Sequence, residues 1–174
     1  MSDSSRLHSP WRSIHIDSFL SSHGHAPSNE SGSVFTRIAA SNDDVGNLVV
    51  WRGETVFVVM NLYPYNNGHL MVVPYRQVAR YGALTDAERT ELASTVNLAI
   101  KWLDEALEPE GYNVGMNEGV AGGAGVPSHI HVHVVPRWSG DTNFMPTVAE
   151  TKVVPQAIEE SYRRIQEIAL RPER

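Results

Sequence analysis

The chain contains no cysteine, which excludes disulfides, thiol nucleophiles and cysteine-type zinc sites. It lacks any apolar run long enough to span a bilayer. Its first residues also lack the apolar core of a signal peptide, so the expectation is a cytoplasmic protein without membrane contact. Positive charge is scarce: 14 Lys and Arg against 20 Asp and Glu leave a formal net charge of -6. A general nucleic-acid binder would show a basic face, so no nucleic-acid partner is expected. A small anionic substrate is still allowed, because a few local cations and backbone N–H groups suffice to hold one. The remainder is ordinary soluble sequence, 174 residues with 41% hydrophobic and 20% charged, which is enough for one domain with a sizeable core.

Residues 1–33 are rich in Ser with few aliphatics and read as a mobile arm; residues 34–174 read as a single domain ending in a C-terminal helix. Within the arm, Pro10-Trp11-Arg12-Ser13-Ile14 and Phe19-Leu20 are apolar enough to dock on the body or on a partner chain, and His23-Gly24-His25 is a weak metal-binding candidate. Leu48–Trp51 and Thr55–Met60, separated by Arg52-Gly53-Glu54, predict a β-hairpin, and His69–Pro74 a third strand after a Pro/Asn/Gly loop. Thr85-Asp86-Ala87-Glu88 is a capping box opening a helix to about Leu107, with Leu92, Val96, Ala99, Leu103 and Ala106 as its apolar stripe; Pro109 and Gly111 end it. That stripe serves equally as core or as a dimer interface. Tyr112–Asn117 is a further strand, and a last helix starts at Pro155 with Ile158, Tyr162, Ile165 and Ala169 on its buried side. Short connections favour antiparallel pairing. The expected fold is α+β, an antiparallel sheet of about five strands with helices packed on one face.

The chemistry concentrates at His129-Ile130-His131-Val132-His133-Val134-Val135. A strand turns successive side chains to opposite faces, so three imidazoles stand on one face and three β-branched residues on the other. Outside the arm the remaining histidine is His69, so every histidine of the body is a candidate for one site. Two readings are open. As a metal site, all three of the row cannot bind one ion: the outer two are about 13 Å apart on an extended strand, against Zn–N bonds of about 2 Å. Two of them with His69 or a carboxylate could. As a nucleophilic site, a neutral imidazole attacks phosphorus and its neighbours orient it, bind phosphoryl oxygens or protonate a leaving group. Gly119, Gly122, Gly123 and Gly125 precede the row and let the backbone approach phosphate.

The row resembles the signature of the histidine triad family of nucleotidyl hydrolases and transferases. The similarity extends to Asn61–Pro74, which resembles the family's ribose loop and following strand, and to Asn117-Glu118-Gly119, Val134–Trp138 and Asp141–Phe144. Within the family it is closest to the diadenosine tetraphosphate phosphorylases of actinobacteria, on the branch near the fragile-histidine-triad hydrolases. The resemblance implies that His131 is the nucleophile taking AMP, oriented by the backbone carbonyl of His129. It places His133 at the phosphate or leaving group and His69 as a fourth histidine near His129. It gives Asn61 the ribose, Asn117 and the loop of Gly123 and Gly125 the phosphate or leaving side, and Phe57, Val59 and Leu62 the adenine pocket; each of these three reads equally as ordinary core. A departure is that no side-chain hydroxyl stands in the loop before Ser128, leaving the job there to backbone amides. Arg76, Arg137 and Lys152 could meet polyphosphate but read better as surface charges.

The resemblance further implies a purine nucleotide or dinucleoside polyphosphate as substrate. The acceptor is inorganic phosphate for a phosphorylase and water for a hydrolase. No protein-bound cofactor or metal is implied, magnesium arriving with the substrate, and the assembly expected is a homodimer or homotetramer. A purine-nucleotide-binding regulatory module without turnover is the competing class.

Overall fold

A computed structural model of the protein describes residues 32–141 and 157–172. The arm through residue 31 with its histidines, the motif residues Thr142 to Phe144, Lys152 and the helix start expected at Pro155 lie outside the described residues. The chain runs α1 (Val34–Ala40), β1 (Val49–Arg52), β2 (Val56–Met60), β3 (Leu70–Pro74), a short 3-10 turn (Tyr81–Ala83), α2 (Asp86–Leu107), β4 (Gly111–Met116), β5 (Val132–Arg137) and α3 (Ile158–Ala169). The strands form one antiparallel sheet in the order β1-β2-β3-β5-β4. No helix among the described residues is long and apolar enough to cross a membrane.

Both faces of the central strands are covered, which is why β2 and β3 are apolar throughout and buried at every position. The two-residue period sorts their side chains. Val56, Val58, Met60, Leu70, Val72, Ile130, Val132 and Val134 meet α2 and α3 in one core. Val49, Phe57, Val59, Met71 and Val73 form a second cluster on the opposite face, closed by Phe35 of α1. The two long helices thus share one face as expected; α1, hidden in Ser-rich sequence, covers part of the other.

Helix α2 begins as its sequence predicts. Thr85 accepts the Glu88 N–H and Glu88 reaches back to the Thr85 N–H at 2.7 Å. The stripe is core: Leu92, Ala99, Leu103 and Ala106 are buried within this chain, joined by Thr95 and by Trp102, which packs 5.9 Å from Trp51. The stop is Glu108 in the left-handed conformation, φ 48°, directly before Pro109, which disfavours the helical region at the residue preceding it. Helix α3 buries Tyr162 and Ile165, and the Tyr162 hydroxyl donates to the Val49 carbonyl at 3.1 Å, fastening it to the edge of the sheet.

The β5 ladder starts later than the histidine row suggests. Val132 is its first residue, although the alternation of faces continues back to His129. The partner strand explains the delay. Pairing of Val72 with Val132 would set Pro74 opposite Ile130, but proline has no N–H to give. The Ile130 N–H goes instead to the Val78 carbonyl at 2.7 Å, and the Pro74 carbonyl receives His129 Nε2–H at 2.8 Å.

Glu88 also pairs with Arg76, just beyond β3, at 2.6 Å. The Arg76 guanidinium, helped by the bonds from Thr85 and opposed by burial, holds this carboxyl down at about 2 from the ordinary 4.5. A lowered folded pKa stabilises above the unfolded pKa and stops doing so as pH falls through the folded one. Urea unfolding of wild type and Glu88→Gln should therefore show the variant less stable at neutral pH. The difference should begin to close below about pH 5 and vanish near the folded pKa; a gap independent of pH would contradict the assignment.

Candidate active site

Strand parity brings the candidate residues together. Asn61 extends β2 and Asn117 extends β4 by one residue each, and His69 leads into β3. The Asn61 N–H donates to the His69 carbonyl at 2.9 Å, so these two stand opposite each other. His133 lies opposite Met71 on one side and Gly115 on the other. All share the face away from α2 and α3. His69, His129, His131 and His133 are all buried, at 0, 0, 4 and 9% exposure.

The hydrogen bonds assign each ring its proton. His131 Nδ1 lies 2.9 Å from the His129 carbonyl. A carbonyl only accepts, so the proton is on Nδ1 and the lone pair on Nε2. His129 donates from Nε2 to Pro74, as above, and its Nδ1 lies 2.6 Å from Ser33 Oγ. At the other end of the row, the Tyr65 N–H donates to His69 Nδ1 at 3.0 Å. His69 therefore carries its proton on Nε2 and donates it to His133 Nδ1 at 2.9 Å. His133, accepting at Nδ1, carries its own proton on Nε2. Neighbouring rings in the row thus end differently: a lone pair on His131, a proton on His133, with centroids 4.7 Å apart.

His69 serves His133, not His129 as the resemblance implies. The antiparallel register, Leu70 with Val134 and Met71 with His133, sends the start of β3 to the C-terminal end of the row. His129 meets the other end of β3, at Pro74.

Burial pushes the pKa of His131 below the ordinary 6.5; the bond to the His129 carbonyl opposes this and the neighbouring His129 ring adds to it. Burial likewise lowers His129, against the Pro74 bond. Both rings are neutral at neutral pH. Phe35 helps dry them, its ring centroid 4.9 Å from His131 and 5.5 Å from His129.

The surrounding candidates fall into four groups. Asn61 Oδ1 accepts the Tyr63 N–H at 3.0 Å, and Nδ2 lies 3.4 Å from His69 Nδ1, so its carboxamide stands beside the row. Asn117 Nδ2 donates to the Gly123 carbonyl at 3.2 Å and pins the glycine loop. In that loop Gly119 and Gly123 have φ of 73° and 81°, which side chains disfavour, while Gly125 needs no such backbone. Phe57 and Val59 form the buried floor of this face, Phe57 stacked on Tyr75 at 5.4 Å. Leu62 is separate from that floor, exposed at 47% after the strand has ended. Beside His133, a Cβ placed on Gly115 would meet nothing within 4 Å among the described residues.

Two cations weighed for polyphosphate are engaged elsewhere. Arg76 is bound to Glu88. Arg137 makes a two-point pair with Asp141, at 2.6 and 2.7 Å, and Asp141 also takes Asn66 Nδ2 at 2.7 Å, which ties the loop of Asn61 to the end of β5. Sequence reasoning missed Ser33, Phe35, Pro74 and the Tyr65 amide. Ser33 before Val34-Phe35 is a visible N-cap signal; a proline carbonyl and a loop amide carry none.

Residues 43–140 match the HIT domain. Over 129 residues the sequence is 48% identical to an AP-4-A phosphorylase of Mycobacterium tuberculosis, covering 74% of this chain and 66% of that protein. The match thus spans just under two thirds of that relative's length. Over 97 residues it is 35% identical to a bis(5'-nucleosyl)-tetraphosphatase [asymmetrical] of Schizosaccharomyces pombe, covering 56% of this chain and 53% of the relative. In fold it is similar to a Hit-like protein involved in cell-cycle regulation from Bartonella henselae, with a TM-score of 0.65 at 21% identity over 81% of this chain and 98% of that one.

The ring assignments can be checked by ring-nitrogen NMR. At neutral pH His131 should carry its proton on Nδ1 and titrate below the ordinary 6.5; a proton on Nε2, or a raised midpoint, would overturn them.

Proposed function

The chain belongs to the HIT family, and from that premise we propose that it is an enzyme transferring AMP from a dinucleoside polyphosphate, diadenosine tetraphosphate, through a covalent adduct on His131, with inorganic phosphate as acceptor. The observation that carries the reading is the bond from His131 Nδ1–H to the His129 carbonyl, which leaves a neutral, buried ring with its lone pair on Nε2. The 48% identity to a protein named AP-4-A phosphorylase supports the choice of substrate and acceptor.

In the first half-reaction His131 Nε2 attacks the phosphorus of one AMP moiety. The P–N bond forms as the P–O bond to the rest of the polyphosphate breaks, and ATP leaves. His133 Nε2–H, backed by His69, lies on the side where it donates to a phosphoryl or leaving oxygen. In the second half-reaction an oxygen of inorganic phosphate attacks the adduct, regenerating His131 and releasing ADP. Asn61 takes the ribose. Asn117 and the amides around Gly123 and Gly125 take phosphate oxygens, and Phe57, Val59 and Leu62 contribute to the base-binding side. No protein-bound cofactor is assigned, and magnesium enters with the polyphosphate. The cytoplasm is the expected site of action.

Water in place of phosphate makes the same site a hydrolase releasing AMP and ATP, and the relationship to the S. pombe tetraphosphatase supports that second reading. A binding module without turnover is the remaining alternative. Incubation of the protein with diadenosine tetraphosphate, with and without phosphate, separates them: ADP formed only with phosphate is the expected result, AMP without phosphate marks the hydrolase, and tight binding without products marks the module. His131→Ala should lower the rate by about 10³-fold or more; full activity in that variant would end the mechanism.

We also propose that the protein works as a homodimer or homotetramer. Strand β4 is an unpaired sheet edge among the described residues, with Val114 and Met116 exposed at 47% and 37%, the kind of surface that pairs with another chain. Sedimentation velocity should return a dimer or larger, and a monomer at micromolar concentration would refute it.

A further inference from the structure

Helix α1 does more than cover the histidine face. Ser33, its N-cap, is buried at 8% exposure. Its Oγ approaches His129 Nδ1 to 2.6 Å, and the other ring nitrogen fixes the sense of that bond. Because His129 Nε2–H is given to the Pro74 carbonyl, Nδ1 of the neutral ring is an acceptor and the Ser33 hydroxyl must donate.

Ser33 is itself held from several directions. Its N–H donates to Gln77 Oε1 at 2.8 Å, and its Oγ accepts the Thr36 N–H at 3.2 Å. Thr36 Oγ1–H donates to the same Gln77 oxygen at 2.9 Å. Pro74 and Gln77 both belong to the exit of β3, so that exit and the start of α1 grip His129 from opposite ends of its ring. The carbonyl of His129 then takes the His131 Nδ1–H. The chain of contacts runs from a serine hydroxyl, through one buried ring and its backbone, to the ring assigned as nucleophile.

We propose that Ser33 is a positioning residue for His131: its O–H holds His129 in the neutral Nε2–H form and so fixes the carbonyl on which the orientation of His131 depends. The inference rests on the reading of His131 as nucleophile. Its chemical sense is that His131 gains positive charge on forming a P–N bond, and a protonated His129 alongside would oppose that charge. A neutral ring held at both nitrogens gives orientation without that repulsion. Removing the hydroxyl leaves a buried acceptor at His129 Nδ1 without its donor, which favours either a second tautomer or protonation.

The test compares Ser33→Ala, Ser33→Thr and Thr36→Val in the full chain, by turnover of diadenosine tetraphosphate and by ring-nitrogen NMR. Ser33→Ala should lower kcat about tenfold with KM little changed, and the His129 signals should leave the single Nε2–H form. Ser33→Thr, which keeps the donor, should restore both. Thr36→Val loosens α1 but leaves the Ser33–His129 bond, and should keep wild-type kcat. Wild-type kcat with an unchanged His129 spectrum in Ser33→Ala would overturn the proposal. So would a loss that Ser33→Thr does not rescue, or an equal loss in Thr36→Val. Absence of turnover in the wild type would instead fail the reading of the site, and the His129 spectra would still decide whether Ser33 sets that ring.

Discussion

The structure depends on the register of β3 against β5. With Met71 set opposite His133, the two ends of β3 reach the two ends of the histidine row. His69 arrives at His133 and Pro74 at His129. A shift by one residue would turn every imidazole into the helix-side core and every valine of the row to the opposite face. The apolar partners on both faces, Val72 and Val132 against the helices and Met71 and Val73 beneath Phe35, hold the register far more firmly than polar contacts could. The chemistry of the row is therefore positioned by hydrophobic burial, and the hydrogen bonds only choose where protons sit.

Proline at the end of β3 shows how a strand can stop and still be used. Its missing N–H ends the ladder, and its carbonyl, freed from pairing, becomes the acceptor that fixes one tautomer of His129. The same economy appears at His69, where a loop amide decides which nitrogen faces His133. Buried polar groups are costly without partners. Four buried imidazoles are tolerable here because backbone groups and one hydroxyl meet them at defined atoms.

Much of this was legible in the sequence, and the reason is periodicity. His129, His131 and His133 share a face because strands alternate, and the capping box at Thr85 and Glu88 states its own geometry; Asn61 and Asn117 are legible only through the family resemblance. Where periodicity ends, so did legibility. The resemblance sets His69 at the wrong end of the row because its partner follows from register, a long-range property that no local pattern encodes. Trp102 broadens a stripe that looked narrower, and Glu108 ends α2 through a backbone conformation that its residue type does not announce. Helix α1 is seven residues long and sits against Ser- and Gly-rich sequence, so its cap signal was outweighed by its context. Arg76 and Arg137 are half-exposed charges, as the sequence reading favours, and each pairs with a carboxylate, Glu88 and Asp141.

The bare flank beside Gly115 bears on how such a site is enclosed. Along most of the row the rings are walled in by Phe35, Tyr65 and the strands on either side, and whatever is seated there must match their shape. Opposite His133, among the described residues, Gly115 carries no side chain and nothing stands where one would point. A group extending from His133 past Gly115 would meet no described side chain there. Among the described residues the enclosure of the row is therefore one-sided, close where Phe35 and Tyr65 stand and bare at Gly115.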